Sequence, residues 1–169
     1  ANVDNFNGVD NTLWRKLIGS PDVLRQRVAL ALSEIFVVSM QGLPVPWRGL
    51  MAAHYMDLLE AHAFGTYRSL LEAVTLSPAM GLYLNMRGNQ KGDPNTGRNP
   101  TLSLGRALDT LAAHPAVGPF IGRQLIQRLV TSNPSPAYVK RVARVFADNG
   151  RGLRGDLGAV VGAVLLDPE

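Results

Sequence analysis

The chain has 169 residues, of which 46% are hydrophobic and 18% are charged, and its formal net charge is +4. This composition is typical of a globular domain large enough for its own core and excludes a disordered segment. The chain has no cysteine, which excludes disulfides, thiolate chemistry and zinc sites with sulfur ligands. No apolar run reaches the roughly 18 residues of a membrane span, so we expect no membrane-spanning helix.

Start and stop signals predict five helices in residues 1–84. They are expected over 11–18 with Asp10 as cap, from Pro21 to about Met40, over 47–62, over 67–75 after a Thr66 cap, and from Pro78 to Leu84. The second helix has apolar residues around most of its surface, which predicts a buried helix.

Start and stop signals also predict helices in residues 101–169. They are expected from a Ser103 cap to His114, from Pro115 onward, from Pro136 after a Ser135 cap to a stop at Asn149-Gly150, and from Asp156 to before Pro168. Gly158 and Gly162 lie one turn apart, which favours the close approach of another helix at both positions.

Strand patterns of period two are missing, so the pattern predicts an all-α fold of about eight helices packed as an irregular orthogonal bundle. We interpret residues 1–169 as a single helical domain. An N-terminal block (1–84) and a C-terminal block (101–169) are joined by a polar loop (85–100). The chain opens at Ala1 without a signal-peptide pattern. We therefore expect the chain to be a processed or excerpted piece.

The polar loop is the most unusual segment, because a compact domain rarely has so long a connection without a binding role or a missing neighbour. It contains Gly92-x-x-x-x-Gly97, the glycine spacing of a phosphate-binding loop. The next residues are Arg98-Asn99 instead of Lys and Ser/Thr, and no strand precedes it. The motif therefore does not indicate a nucleotide site, and no other cofactor motif is present.

The histidines and Glu34 are candidates for chemistry. His54 and His62 are eight residues apart, whereas a helical metal pair needs a spacing of four residues. For these two histidines and His114 we therefore predict local hydrogen bonds and no metal site. Glu34 lies in an apolar stretch and predicts a buried ion pair with Arg27 or Arg123. No catalytic constellation is present, and no serine lies in a Gly-x-Ser-x-Gly elbow.

A polar stripe interrupts the predicted helix after Pro115. Arg123–Gln127 and Gln124–Arg128 are pairs at i, i+4. The stripe predicts either a hydrogen-bonded seam against the first half of the chain or one wall of a groove for an anion. Residues 115–169 hold seven basic and four acidic groups, a mild excess that leaves nucleic acid or an anionic polymer as a minority interpretation.

Six stretches of the chain resemble a bacterial family known as domain of unknown function 1800. They are Asp22–Ser33, Glu60–Arg68, Leu76–Asn85, His114–Ile121, Leu125–Pro136, and Gly155–Leu157 with Leu165–Pro168. The resemblance implies a large, mainly helical, exported bacterial protein, often encoded beside a sulfatase-like partner, with no reaction to carry over.

The chain departs from the family pattern at the loop. Family members have a helix bearing a Glu-Asn-Tyr-Ala-Arg-Glu motif after an Asn-rich loop, followed by a long insert. Here Arg98-Asn99-Pro100 leads directly into Thr101, so that central block is missing. Asn85, Asn89 and Arg98 match the family's loop.

The leading hypothesis is a helical interaction or scaffold module of an exported, periplasmic or extracellular bacterial protein. Its partner would be another envelope protein or the missing central block. The alternatives are an envelope hydrolase acting on polysaccharide or ester substrates and a weak binder of nucleic acid or anionic polymer. The expected ligand-binding residues are Asn85, Asn89, Arg98, Arg123, Gln124 and Arg128, without catalytic residues, metal or cofactor.

Overall fold

The structure is a computed structural model that describes residues 7–41, 45–86 and 100–169. Within these ranges it contains nine helices and no strand, which confirms the all-α prediction. They are α1 (Asn7–Gly19), α2 (Val23–Ile35), α3 (Arg48–His62), α4 (Tyr67–Leu76), α5 (Pro78–Tyr83), α6 (Pro100–Ala113), α7 (Val117–Leu129), α8 (Pro136–Ala147) and α9 (Leu157–Leu165).

Short polar side chains begin three helices as the sequence predicts. The Thr66 hydroxyl accepts from the Ser69 N–H, Ser135 accepts from Tyr138, and the Asp156 carboxylate accepts from Ala159. Each acceptor satisfies one of the N–H groups that a helix start leaves without an internal partner.

Other predicted boundaries were wrong. Asp10 lies inside the first turn of α1 instead of capping it, because the helix already begins at Asn7. Helix α2 begins at Val23 instead of Pro21, and Asp22 caps it. α6 begins at Pro100 instead of after Ser103, which suits proline because the first helical position needs no N–H donor.

The second helix ends at Ile35, five residues before the predicted end at Met40. Tyr55 of α3 explains the early end, since its hydroxyl donates to the Phe36 carbonyl at 2.7 Å. Burial also raises the pKa of Tyr55 to about 12, so the hydroxyl stays protonated and able to donate at neutral pH. A tertiary contact therefore replaces a continuing helical turn.

One hydrophobic core contains buried side chains from both halves of the chain. Leu32 of α2, Leu70 of α4, Leu125 of α7 and Val160 of α9 all belong to it. Helix α2 packs on α3 and also on α7, while α4 packs on α6 and α7 packs on α8 and α9. The two halves therefore bury their apolar faces against each other.

Close helix approach occurs mainly between α7 and α8. A Cβ atom at Gly122 would lie 3.0 Å from Val142 Cγ1, and one at Gly118 would lie 3.1 Å from the Phe146 ring. The neighbour of Gly158 is the turn between α3 and α4 instead of a helix, with the Phe64 carbonyl 3.5 Å from an added Cβ atom, and Gly162 faces open space. In the described part of the chain, no helix is long and apolar enough to cross a membrane.

Candidate functional site

The residues proposed from the polar loop are only partly described. Asn85 follows α5, is exposed and has a φ of 55°, the left-handed conformation that asparagine tolerates better than most residues. Asn89 and Arg98 lie outside the described residues. Helix α5 packs on α3 and α4, whereas α7 packs on other helices, so Asn85 and Arg123 belong to different parts of the bundle.

Gln124 and Arg128 form the predicted pair on α7. Arg128 Nη1 donates to Gln124 Oε1 at 2.5 Å, and Arg128 Nη2 donates to the Glu34 carbonyl at 3.3 Å. Arg128 Nε also lies 3.2 Å from Glu34 Oε2, although the two atoms are not aligned for a hydrogen bond. This part of the stripe is the predicted seam against the first half, joining α7 to α2.

Two details of the polar stripe were predicted wrongly. Glu34 is not a buried acid, because its side chain is 58% exposed, and its partner is Arg128 instead of Arg27 or Arg123. Gln127 does not pair with Arg123 and donates instead to the Ser132 carbonyl at 3.2 Å. The helix ends three residues before that carbonyl, so Gln127 satisfies an acceptor in the following turn.

Arg123 faces away from the seam and lines an open groove of about 740 Å³ between α7 and α8. Lys140 lines the opposite wall, and the turn of residues 133–135 and Glu169 close one end. Both cations are exposed. The stripe is thus divided, with Gln124 and Arg128 in the seam and Arg123 lining the open groove, and anion binding in that groove stays a prediction.

Several exposed apolar side chains lie where α2 ends and α3 begins. Arg25 Nη1 donates to the Glu60 carbonyl at 3.3 Å, and Tyr55 bonds to Phe36, so α2 and α3 are antiparallel. The C-terminus of α2 and the N-terminus of α3 therefore lie at the same end. Helix α4 starts beside the C-terminus of α3, and α5 packs on both α3 and α4.

We call this region the junction end, because the polar loop also leaves from it. It comprises the described residues of 36–51 and 76–86. Its large exposed apolar side chains are Val37 (53%), Trp47 (56%), Leu50 (66%), Leu76 (62%), Tyr83 (42%), Leu84 (59%) and Met86 (45%).

The turn between α8 and α9 is a second organised region, which the sequence did not predict beyond a helix end at Gly150. The Asp148 carboxylate accepts from the N–H groups of Gly150 and Gly152, at 2.8 and 2.9 Å. Asn149 Nδ2 donates to Asp156 Oδ2 at 2.6 Å. The bond from the Ala159 N–H, followed by that from Asn149, lowers the pKa of Asp156, so this cap is ionised at neutral pH.

This turn also joins the two halves of the chain. Gly155 O accepts from the Tyr67 N–H at 2.7 Å, and the Leu157 N–H donates to Gly65 O at 2.9 Å. Arg154 reaches α6, donating to the carbonyls of Ala112 and His114 at 3.2 and 3.0 Å. A cation at these terminal carbonyls stabilises the end of the helix. The spacing of Gly150, Gly152 and Gly155 among acidic and amide residues was the available signal.

Two histidines make the predicted local bonds. His62 Nδ1 lies 2.9 Å from the Leu58 carbonyl, and His114 Nδ1 accepts from the Ala116 N–H at 3.2 Å. His54 is exposed. Among the described residues there is no group of three or more His, Cys, Asp or Glu side chains that could hold a metal ion.

A family model described as a protein of unknown function, DUF1800, matches the chain over residues 2–99 and again over residues 96–169. No curated protein matches the chain, and neither does any solved structure. Because the two matches together extend over nearly the whole sequence, the chain belongs to this family of unknown function.

Proposed function

We propose that the protein is a helical interaction module of an exported bacterial protein and that it docks a helix at its junction end. The observation that carries this proposal is the set of seven exposed apolar side chains on segments that meet there. Exposed apolar side chains are normal when scattered singly, whereas a concentration of them on one region is typical of an interaction surface.

The family matches support a specific occupant for this surface. The two matched segments overlap at residues 96–99, so no stretch of this chain is left unmatched between them. We infer that the break in the match reflects family positions that this chain lacks. The break falls in the loop that leaves the junction end, and we infer that the apolar face of a helix from the family's central block is the occupant.

Docking an amphipathic helix onto an apolar surface relies on burial of apolar area, at about 25 cal/mol per Å². Leu50 and Leu84 are the preferred positions to test, since they are 66% and 59% exposed and a change there leaves the core intact. Ile18 of α1 is 77% exposed and lies outside the junction end, so it provides a matched control.

The test uses a fluorescein-labelled peptide that carries the family's Glu-Asn-Tyr-Ala-Arg-Glu helix, with binding measured by fluorescence anisotropy. We expect Leu50→Glu and Leu84→Glu each to weaken binding about tenfold, equivalent to 1.4 kcal/mol, because each places a charge in an apolar interface. Ile18→Glu should bind like the unmodified protein. Absence of binding to the unmodified protein, or an equal loss in the Ile18→Glu variant, would contradict the proposal.

A further inference from the structure

The groove between α7 and α8 is separate from the junction end. Three prolines, Pro119, Pro134 and Pro136, line it together with Val139. Proline lacks an N–H group, so these three residues add apolar surface without a backbone donor of their own. The groove therefore combines apolar walls with the two cations Arg123 and Lys140.

Five other basic side chains of the protein are paired with carboxylates. Lys16, Arg25, Arg68, Arg128 and Arg141 each lie within 3.3 Å of a carboxylate oxygen. In the part of the chain that the structure describes, Arg123 and Lys140 have no carboxylate partner. Two unpaired positive charges on facing walls attract an anionic ligand.

One end of the groove already holds a carboxylate from the chain itself. Glu169 Oε1 accepts from the Ser135 N–H at 3.1 Å, and Glu169 Oε2 accepts from the Ser135 hydroxyl at 2.5 Å. Arg141 donates to Glu169 Oε2 at 3.3 Å and to Asp167 Oδ1 at 2.6 Å. These bonds hold the pKa of Glu169 below its usual range, with the Ser135 hydroxyl as the largest cause, so the residue is anionic at neutral pH.

Glu169, which belongs to a segment without regular secondary structure, therefore places one carboxylate at the end of the groove. Arg123 and Lys140 lie along the same groove and remain without such a partner. We propose that the α7–α8 groove binds an extended acidic peptide segment of a partner protein, with Arg123 and Lys140 as its charge contacts. Glu169 competes with that peptide at the Ser135 end.

The walls favour peptide over nucleic acid. Proteins that bind single strands combine positive charge with aromatic side chains on which bases stack. The lining of this groove contains prolines, valine and alanine but no aromatic residue. An acidic peptide needs only the cations and an apolar surface for its own proline or aliphatic groups.

The experiment measures the anisotropy of a fluorescein-labelled peptide of four Asp-Pro-Glu triplets, titrated with the complete chain at about 0.15 M salt, where the Debye length is about 8 Å. We expect Arg123→Gln and Lys140→Gln each to weaken binding about fivefold, because each removes a charged contact. Arg106→Gln on α6 is the matched control, since Arg106 is exposed and lies outside the groove. It should change the affinity less than about twofold, as expected for a distant screened charge.

The Glu169→Gln variant tests the competition. It should tighten peptide binding beyond the change caused by Asp10→Asn, which removes an exposed negative charge on α1. Equal weakening by Arg106→Gln and Arg123→Gln would overturn the proposal, because binding would then follow net charge alone. It would also be overturned by a single-stranded oligonucleotide of equal charge that displaces the peptide and binds more tightly through the same two cations.

Discussion

Three glycines in the turn between α8 and α9 have positive φ values, and one of them is also crowded. Gly150, Gly152 and Gly155 have φ angles of 84°, 75° and 72°. A Cβ atom at Gly155 would lie 3.0 Å from Tyr67 Cβ, whereas nothing lies within 4 Å at Gly150. Gly155 therefore combines a backbone requirement with a close contact between the two halves of the chain.

Comparison of two alanine substitutions separates these effects. Gly150→Ala should lower the free energy of unfolding by about 1 kcal/mol, the cost of a side chain in the left-handed region. Gly155→Ala should cost about 3 kcal/mol, because the contact with Tyr67 adds overpacking. Urea unfolding followed by circular dichroism measures both. Equal costs would mean that the Gly155–Tyr67 contact relaxes freely.

Single residues were predictable where the chemistry is local. Thr66, Ser135 and Asp156 cap their helices because each acceptor needs only an N–H group three residues ahead. The partner of Glu34 was not predictable, since Arg128 lies far along the chain and meets it only after α2 and α7 have packed. Local patterns contain no information on such distant pairs.

The packing of α7 on α8 depends on small residues at the contact. Gly118 and Gly122 are buried, and each faces a large side chain of α8 at 3.1 Å or less from the position of an added Cβ atom. Glycine lowers intrinsic helix stability by about 1 kcal/mol relative to alanine, so its presence at this contact is compensated by close packing.

We expect Gly122→Ala to destabilise the protein by about 1–3 kcal/mol through overpacking against Val142. Gly105→Ala in α6 is the control, because nothing lies within 4 Å of an added Cβ atom there and helix propensity alone should stabilise by up to about 1 kcal/mol. In the double variant Gly122→Ala/Val142→Ala the two costs should be less than additive, since the second change makes room for the first. Strict additivity in urea unfolding would show that the two residues do not press on each other.

Helix positions were predicted well from apolar spacing, but helix ends that depend on other elements were not. The apolar stripe of α2 is continuous with Phe36-Val37-Val38, and it therefore predicted a helix to Met40. The observed end at Ile35 depends on Tyr55, which belongs to α3. Likewise, Gly158 and Gly162 are equivalent in spacing, yet only Gly158 meets a neighbour, because the packing of α9 determines which side is covered.

At the scale of the molecule, the two halves of the chain form a shared core across the site where the family match is broken. Leu32 and Leu59 from the first half and Leu125 and Ile126 from the second are 1% exposed or less and belong to one cluster. The all-α class was predictable because helical spacing occurs throughout the chain. The α7–α8 groove and the junction end were not, since both arise from side chains distant in sequence.

The central claim is that these halves fold as one cooperative unit, and hydrogen exchange measured by mass spectrometry across a urea series tests it most directly. Leu125→Ala should cost about 2–5 kcal/mol through the buried cavity it creates. The account predicts that peptides from α2 and α3 lose protection at the same urea concentration as those from α7 and α8, and that Leu125→Ala lowers that concentration equally for all of them. Two separate transitions, with Leu125→Ala shifting only the second half, would contradict it.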